Sequence, residues 1–280
     1  MRPSIVLMVT SVMTLASSGG CGPIPGWAAG GLLHPGRRSV DPSLAAKFGK
    51  QTFQGDGVTL EGWKLPAAGT ARGTVVYLHG VADNRGSSLG AARLTERGFD
   101  LVAYDSRAHG NSGGDACTYG FYEKRDLSRV LDRIERGPIV VIGSSLGAAV
   151  ALQAAADDPR ITAVVAAESF SDLESIARER APKFMTEGSI KKALEIAEEQ
   201  GKFAVGDVSP VRAAARIQVP VLLLHGAVDR ETPPLHSQRI FDALAGPKEL
   251  ILVPGAGHNQ ALQPAVWPRI EAWIAKMVVP

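Results

Sequence analysis

The sequence predicts an α/β fold in which a mainly parallel β-sheet carries helices on both faces. From about residue 74 onward, short β-branched apolar segments alternate with segments whose apolar residues recur at helical spacing. This alternation is typical of parallel sheets, because each parallel connection needs a crossover, usually a helix. The strand segments are apolar on both faces, as TVVYL at 74–78 illustrates, and strands that helices cover on each side have this composition.

Length and composition limit the class of protein. The 280 residues are 45% hydrophobic and 21% charged, which suits one large globular domain or two small ones. The 30 basic and 28 acidic residues leave a net charge of +2, which is too small to gather nucleic acid, so we expect no nucleic-acid partner. Two cysteines are too few for a disulfide scaffold or a four-thiolate zinc site.

Residues 1–20 have the pattern of an export signal. Arg2 precedes an apolar run at 5–16 that is too short to span a bilayer, and small residues follow it. Cys21 comes next, and this arrangement resembles the bacterial lipoprotein signal, in which the cysteine is lipidated. We expect an exported protein, either a cell-envelope lipoprotein attached to the membrane through Cys21 or a protein cleaved after Ser18 and secreted. A buried N-terminal helix is the alternative interpretation.

Residues 21–49 are rich in glycine, proline and alanine. They predict a tether or an irregular N-terminal arm that precedes a domain at 50–280. The domain begins with a predicted β-hairpin, because the segments 52–54 and 58–60 flank a turn-forming GDG sequence.

The rest of the domain alternates between the two kinds of element. Further strands are predicted at 74–78, 100–104, 139–142, 162–167, 221–224 and 250–253. Helices are predicted at 87–97, 124–136, 146–156, 234–244 and 265–277. The stretch 170–215 has no good strand but has helical segments at 175–180 and 190–199. An insertion of this kind beyond the strand ends predicts a small helical lid over a site.

A candidate nucleophile lies between a predicted strand and a predicted helix. Gly143-Ser144-Ser145-Leu146-Gly147 has the pattern G-x-S-x-G, in which glycines flank a sharp turn that exposes the serine hydroxyl at the carboxyl edge of the sheet. In a chain of this composition the pattern occurs by chance in roughly one case in four, so its strand–turn–helix context carries the hypothesis. The alternative is a glycine-rich turn that only packs the helix close to the sheet.

A serine hydroxyl needs a base, and the base needs an orienting acid. His258 follows the strand at 250–253 on a glycine-rich loop, so we expect it at the same edge as Ser145. Asp229 follows the strand at 221–224 and is the expected acid, in the chain order Ser, Asp, His. Glu168 and Asp172, which follow the preceding strand, are the alternative acids.

Two backbone amides are expected to form the oxyanion hole. Val81 lies in the loop after the strand at 74–78, and Leu146 follows the nucleophile. The other histidines are expected to have structural roles. His79 is expected to orient or pack, His109 to stabilise a turn, His225 to fill the end of its strand, and His34 and His236 to be surface or packing residues.

No metal or cofactor is expected. The sequence has no H-E-x-x-H and no C-x-x-C, and the glycines at 143–147 do not form a G-x-G-x-x-G fingerprint.

Together these motifs resemble the α/β-hydrolase superfamily over residues 53–277. The resemblance rests on His79-Gly80, Tyr104-Asp105 with Arg107, His109-Gly110-Asn111-Ser112-Gly113, Gly143 to Gly147, His225-Gly226 with Asp229, and Gly257-His258. The group most similar contains monoglyceride lipases, serine aminopeptidases and acyl-thioesterases. Ala108 departs from the pattern, because relatives more often have glycine there.

The resemblance implies hydrolysis of an acyl bond through an acyl-enzyme, most simply a carboxylic ester. It also implies a small-molecule or lipid-like acyl substrate as the partner. Peptidase or acyl-thioesterase activity on the same triad is the alternative, and a non-catalytic ligand-binding protein is a remote one. The apolar residues of the lid segment either line an acyl pocket or form the core of the lid. They are Phe170, Ile176, Phe184, Met185 and Phe203.

Overall fold

Eight strands form one sheet in the order β1-β2-β4-β3-β5-β6-β7-β8 in a computed structural model that describes residues 24–135 and 137–278. The strands are β1 (Gln51–Gln54), β2 (Thr59–Leu65), β3 (Gly73–Leu78), β4 (Phe99–Tyr104), β5 (Ile139–Ser144), β6 (Ile161–Ala167), β7 (Val221–Gly226) and β8 (Lys248–Val253). The β1–β2 and β2–β4 pairs are antiparallel, and the other five pairs are parallel.

Helices cover both faces of this sheet. They are α1 (Ile24–Leu33), α2 (Pro42–Phe48), α3 (Glu123–Leu131), α4 (Leu146–Ala155), α5 (Leu173–Arg180), α6 (Glu187–Gly201), α7 (Pro210–Ala214), α8 (Leu235–Ala243) and α9 (Trp267–Met277), with 3₁₀ segments at Arg85–Arg97 and Val205–Asp207. Leu127 of α3 and Ile240 of α8 pack with α4 against one face, and Leu94 and Ile270 pack against the other. The predicted fold class is confirmed.

Two predicted helices differ in detail. The segment predicted at 87–97 is a 3₁₀ helix, and the α9 side chain Trp267 packs so closely against it that a Cβ at Gly90 would lie 2.7 Å from the Trp267 indole nitrogen. The helix predicted at 124–136 ends at Leu131, because the chain turns back towards β5 through Gly137, whose φ is +80°. Few residues other than glycine adopt that angle.

The glycine-rich N-terminal segment is not a tether where the structure describes it. Residues 24–33 form α1, whose Ala29 and Leu33 are buried and pack beside α6. The Cys117 N–H donates to the Leu33 carbonyl at 2.8 Å, and Arg37 donates to the carbonyls of Ser112 and Gly114. Of the two alternatives for 21–49, residues 24–49 form an arm and not a tether. The arm is largely helical instead of irregular, because tertiary packing overrides the weak helix propensity of its glycines.

The expected export signal at 1–20 and the lipidation site Cys21 lie outside the described residues. Among the helices that the structure describes, none combines the length and the apolar character needed to cross a bilayer.

The helical insertion predicted at 170–215 is present. Between β6 and β7 the chain forms α5, α6, a short 3₁₀ turn and α7. Its movement as a lid stays a prediction.

Ala108 stands where the resemblance favours glycine, and its backbone explains the preference. Its φ is +60°, in the left-handed region. The Ala108 N–H donates to the Gly113 carbonyl at 2.9 Å, which closes the turn in spite of the departure. An alanine in this conformation costs about 1 kcal/mol relative to glycine.

Candidate active site

Four neighbouring strands each carry one polar residue of the candidate site just beyond their carboxyl ends. Ser145 follows β5, Glu168 follows β6, Asp229 follows β7 and His258 follows β8. Because β5 to β8 are parallel, these ends lie along one edge of the sheet. Ligand sites of open α/β sheets occupy this edge.

Ser145 adopts a strained backbone conformation at the strand-to-helix turn. Its φ is +50° and its ψ is −110°, and α4 begins at the next residue. Its N–H donates to the Ala167 carbonyl at 2.8 Å, which ties the turn to the end of β6. A non-glycine residue in such a conformation is costly, and strain of this kind is concentrated at functional sites.

The two glycines of the motif are required by close backbone contacts. A Cβ at Gly147 would lie 2.2 Å from the Leu78 carbonyl oxygen, and one at Gly143 would lie 2.3 Å from the carbonyl carbon of Gly147. The contacts are with backbone atoms, which cannot rotate away. The glycines therefore let α4 pack directly on β3 and β5.

Gly147→Ala should lower the free energy of unfolding by about 3 kcal/mol, because the added methyl group overpacks the α4–β3 contact. Urea unfolding followed by circular dichroism measures the change. Gly30→Ala in α1 is the control, since a Cβ there has nothing within 4 Å, and the free energy should stay level or rise by up to about 1 kcal/mol. Equal midpoints for Gly147→Ala and wild type would contradict the packing argument.

Ser145, His258 and Asp229 form a continuous hydrogen-bonded line. His258 Nε2 lies 3.1 Å from Ser145 Oγ, and His258 Nδ1 lies 2.7 Å from Asp229 Oδ2. The side chains of His258 and Asp229 are 4% and 0% exposed. The structure therefore brings together the three residues that the sequence selected, at the distances that proton transfer requires.

Asp229 is held as a carboxylate. Its Oδ1 accepts hydrogen bonds from the N–H groups of Glu231 and Thr232, each at 2.9 Å. Burial alone would raise the pKa of this carboxyl, but the neighbouring His225 and His258 outweigh it and lower the pKa well below the ordinary value of an aspartate. The group is therefore ionised at neutral pH and can orient His258.

Glu168, an alternative acid, has a different set of contacts. Its φ is +57°, and its carboxylate accepts N–H groups from Asn259, Gln260 and Ala261 at 2.7, 3.1 and 3.0 Å. Burial raises its pKa, although the nearby His258 and these backbone donors oppose that rise. Glu168 therefore holds the loop that continues directly from His258. Sequence reasoning missed this contact, and the position of Glu168 beyond β6 is its only signal.

Asp172, the other alternative acid, is engaged elsewhere. Its Oδ1 accepts the Ser175 N–H at 2.8 Å and caps the N-terminus of α5. Its Oδ2 accepts the Ser171 hydroxyl at 2.9 Å.

Leu146 directly follows Ser145, and the loop that carries Val81 passes close to Ser145 at Gly80. A Cβ at Gly80, the residue before Val81, would lie 3.6 Å from Ser145 Cβ. Leu146 is the first residue of α4, so its N–H has no acceptor within the helix. The role of the Val81 and Leu146 amides in binding an oxyanion stays a prediction.

His79 fixes the loop that carries Val81. Its Nε2 accepts the Ser106 N–H at 2.9 Å, and Nδ1 lies 2.7 Å from the Gly80 carbonyl. Burial lowers the pKa of His79, so it is a neutral orienting residue. Burial and the adjacent His79 lower the pKa of His109 to about 3, and its Nδ1 lies 2.8 Å from the Arg107 carbonyl.

His225 and His236 are buried polar residues. His225 contacts Ser237 Oγ at 2.6 Å and the Thr232 carbonyl at 2.7 Å, as expected of a histidine that fills a strand end. His236 Nδ1 accepts the Ser171 N–H at 3.1 Å, and Nε2 lies 2.9 Å from Glu179 Oε2. Of the two roles left open for His236, packing is the correct one.

A cavity of about 350 Å³ lies between α1 and the α5–α6 insertion and reaches Val81. It is lined mainly by apolar side chains, and Trp27 of the N-terminal arm belongs to its wall. The five apolar residues of the insertion lie in three different places. Ile176 and Met185 line the cavity, Phe170 and Phe203 belong to a buried cluster beneath it, and Phe184 is 67% exposed. His34 also lines the cavity, with its Nδ1 2.7 Å from the Asp115 carbonyl.

Within the described ranges, no three His, Cys, Asp or Glu side chains are grouped as a metal ion would require.

Known proteins with similar sequences include uncharacterised bacterial proteins. The family model described as alpha/beta hydrolase fold matches residues 73–193. The uncharacterised protein YqkD of Bacillus subtilis is 30% identical over 196 residues, which are 66% of this chain and 64% of YqkD, so the match spans less than two thirds of that relative. The uncharacterised protein YfhR of Escherichia coli K12 is 28% identical, over 74% of this chain and 71% of YfhR.

Solved structures share the fold. An esterase of Pyrococcus furiosus, Pf2001, superimposes with a TM-score of 0.70 at 22% identity, over 89% of this chain and 99% of the esterase. An acylaminoacyl peptidase of Pyrococcus horikoshii gives a TM-score of 0.66 at 14% identity, over 82% of this chain and 41% of the peptidase. The sheet order, the strained serine turn and the family match agree, and the chain has the α/β-hydrolase fold.

Proposed function

We propose that this protein is a serine hydrolase that cleaves an acyl bond, most simply a carboxylic ester, through an acyl-enzyme. The observation that carries the proposal is the line from Ser145 Oγ through the His258 imidazole to Asp229, with spacings of 3.1 and 2.7 Å. These are the atoms that a nucleophile, a general base and an orienting acid need.

In the first half-reaction, Ser145 Oγ attacks the ester carbonyl carbon as His258 Nε2 takes its proton. The carbonyl oxygen becomes an oxyanion, which the N–H groups of Val81 and Leu146 stabilise, with the N-terminus of α4 adding a favourable dipole. His258 then donates its proton to the leaving alcohol, the C–O bond breaks, and Ser145 carries the acyl group.

In the second half-reaction, a water molecule replaces the alcohol. His258 accepts a proton from the water, and the resulting hydroxide attacks the acyl carbon. The tetrahedral intermediate collapses, the proton returns to Ser145 Oγ, and the carboxylic acid leaves. Asp229 stays ionised in both halves and stabilises the imidazolium.

Two observations favour an ester over a peptide as the substrate. The cavity beside Val81 is mainly apolar, which suits an acyl chain or an apolar alcohol. The superposition with the P. furiosus esterase covers 99% of that enzyme, whereas the peptidase superimposes over 41% of its chain.

A fluorophosphonate probe separates an enzyme from a binding protein, because it reacts with an activated serine. We expect a single adduct at Ser145, located by mass spectrometry of the digested protein. A panel of 4-nitrophenyl esters of graded chain length, beside aminoacyl-arylamides and acyl-thioesters, then ranks the bonds by kcat/KM. No adduct and no turnover would favour the non-catalytic alternative, and a preference for arylamides or thioesters would replace the ester assignment.

The dependence of kcat/KM on pH tests the role of His258 as the base. His258 must be neutral to accept the serine proton, so kcat/KM should be low in acid and should rise with pH. This rise is the acidic limb of the profile. Asp229 does not titrate in this range, because its pKa is lowered. Single-turnover measurements from pH 5 to 8 record this rise of kcat/KM.

His258→Gln should abolish both the activity and the limb. Glu168 is the other titratable group beside the His258 loop, and Glu168→Gln should keep the limb. A flat wild-type profile in single turnover, or loss of the limb in Glu168→Gln alone, would contradict the assignment of His258 as the base.

A further inference from the structure

The cavity beside Val81 has one strongly cationic side chain in a mainly apolar wall. Arg180, the last residue of α5, lines it together with residues such as Trp27 and Ile176. None of the described residues that line the cavity is an aspartate or a glutamate. Arg180 itself is exposed to solvent.

Two neutral acceptors hold this guanidinium in place. Its Nε donates to the Glu231 carbonyl at 2.9 Å, and one terminal nitrogen donates to Thr232 Oγ1 at 2.6 Å. Thr232 in turn donates its N–H to Asp229. Arg180 is thus fixed against the loop that carries the proposed catalytic acid, and these contacts leave its positive charge uncompensated.

Nearby carboxylates do not neutralise Arg180. Across residues 24–135 and 137–278, no carboxylate lies within ion-pair distance of it. Glu179 contacts His236, and Asp229 contacts His258. The charge of Arg178, two residues earlier on α5, is neutralised, because Arg178 pairs with both Glu174 and Glu187.

We propose that the cavity takes a substrate with an apolar body and a carboxylate group that Arg180 binds. The apolar wall suits the body, and a fixed guanidinium with spare donors suits a planar carboxylate. The inference rests on the proposed hydrolase function and names its substrate class: an ester of which one half carries a negative charge.

Two pairs of esters test this, each pair alike except for the charge. The first pair is 4-nitrophenyl octanoate and mono-4-nitrophenyl suberate, which place the carboxylate on the acyl side. The second is phenyl octanoate and 4-octanoyloxybenzoate, which place it on the leaving-group side. The measured quantity is the ratio of kcat/KM for the charged and neutral member, compared between wild type and variants so that intrinsic reactivity cancels.

Arg180→Gln should lower this ratio about five- to tenfold in one of the two pairs, the range expected for a partly exposed ionic hydrogen bond. Arg180→Lys should retain most of the ratio, because the charge remains. Arg178→Gln should leave it unchanged. In about 1 M NaCl, where the Debye length is about 3 Å, the wild-type ratio should also fall. The pair that responds identifies the half of the ester that lies in the cavity.

An unchanged ratio in both pairs for Arg180→Gln would overturn the proposal. If the ratio is unchanged because the charged and neutral esters lose activity equally, Arg180 acts only by holding the Asp229 loop. If wild type hydrolyses none of the four esters and does not react with the fluorophosphonate probe, the proposed function itself fails, which is a distinguishable result.

Discussion

Ser145→Ala should leave a folded protein whose kcat for ester hydrolysis falls about 10⁵- to 10⁶-fold, the scale seen when the serine of another hydrolase triad is removed. The Ser145 side chain contacts His258, and the Ser145 N–H that bonds to Ala167 remains in alanine. The substitution therefore removes the nucleophile and little else. Initial rates on the best 4-nitrophenyl ester, with circular dichroism as the folding check, measure the loss.

Ser144→Ala is the matched control, because the motif contains two adjacent serines. Ser144 is the last residue of β5 and is buried at 9% exposure. Its replacement should keep activity near that of wild type and should keep the fluorophosphonate adduct at Ser145. An adduct at Ser144, or normal turnover by Ser145→Ala, would contradict the mechanism.

Asp229→Asn should lower kcat by about 10⁴, as for the same substitution in another serine hydrolase triad. The asparagine oxygen can still accept the Glu231 and Thr232 N–H groups, which preserves the loop. Its NH₂ group then faces His258 Nδ1, which must become an acceptor. The His258 proton moves to Nε2, where it blocks proton transfer from Ser145.

Glu168→Gln distinguishes the acid from the loop-holding residue. A glutamine presents one oxygen and one NH₂ group to three backbone donors, so the loop after His258 should shift slightly and kcat should fall by about 10- to 100-fold, the scale of a misplacement of about 1 Å. The smaller loss should be in Glu168→Gln and the larger in Asp229→Asn. The reverse order would assign the acid to the end of β6.

The alternation of strands and helices could be predicted from the sequence. Helices cover both faces of the sheet, so its strand segments are apolar on both faces and stand out from the helical segments between them. The candidate triad could be selected because each member follows a predicted strand, and parallel strands end at one edge. These inferences need only local pattern and topology. Ser145, Asp229 and His258 are accordingly close in the structure.

Other features depend on contacts that no local pattern encodes. Trp27 and α1 reach the cavity wall because they pack against an insertion more than 140 residues away in the chain. The loop contacts of Glu168 join residues more than 90 positions apart. The glycine content of the N-terminal segment predicted a tether or an irregular arm, but the buried apolar residues of α1 make that arm helical.

The distribution of the site over four adjacent strands has a consequence for folding. Ser145 and His258 are 113 positions apart, and Asp229 and Glu168 belong to the strands between theirs. A nascent chain that has completed β5 and α4 has the serine turn but no base, and no pair of neighbouring elements assembles the triad. On the proposed mechanism, Ser145 therefore gains its base only when the last strand docks on the sheet, and contacts of such long sequence separation form slowly. If the proposed hydrolase function holds, a partly folded molecule has no activated serine and cannot transfer acyl groups before it reaches the native state.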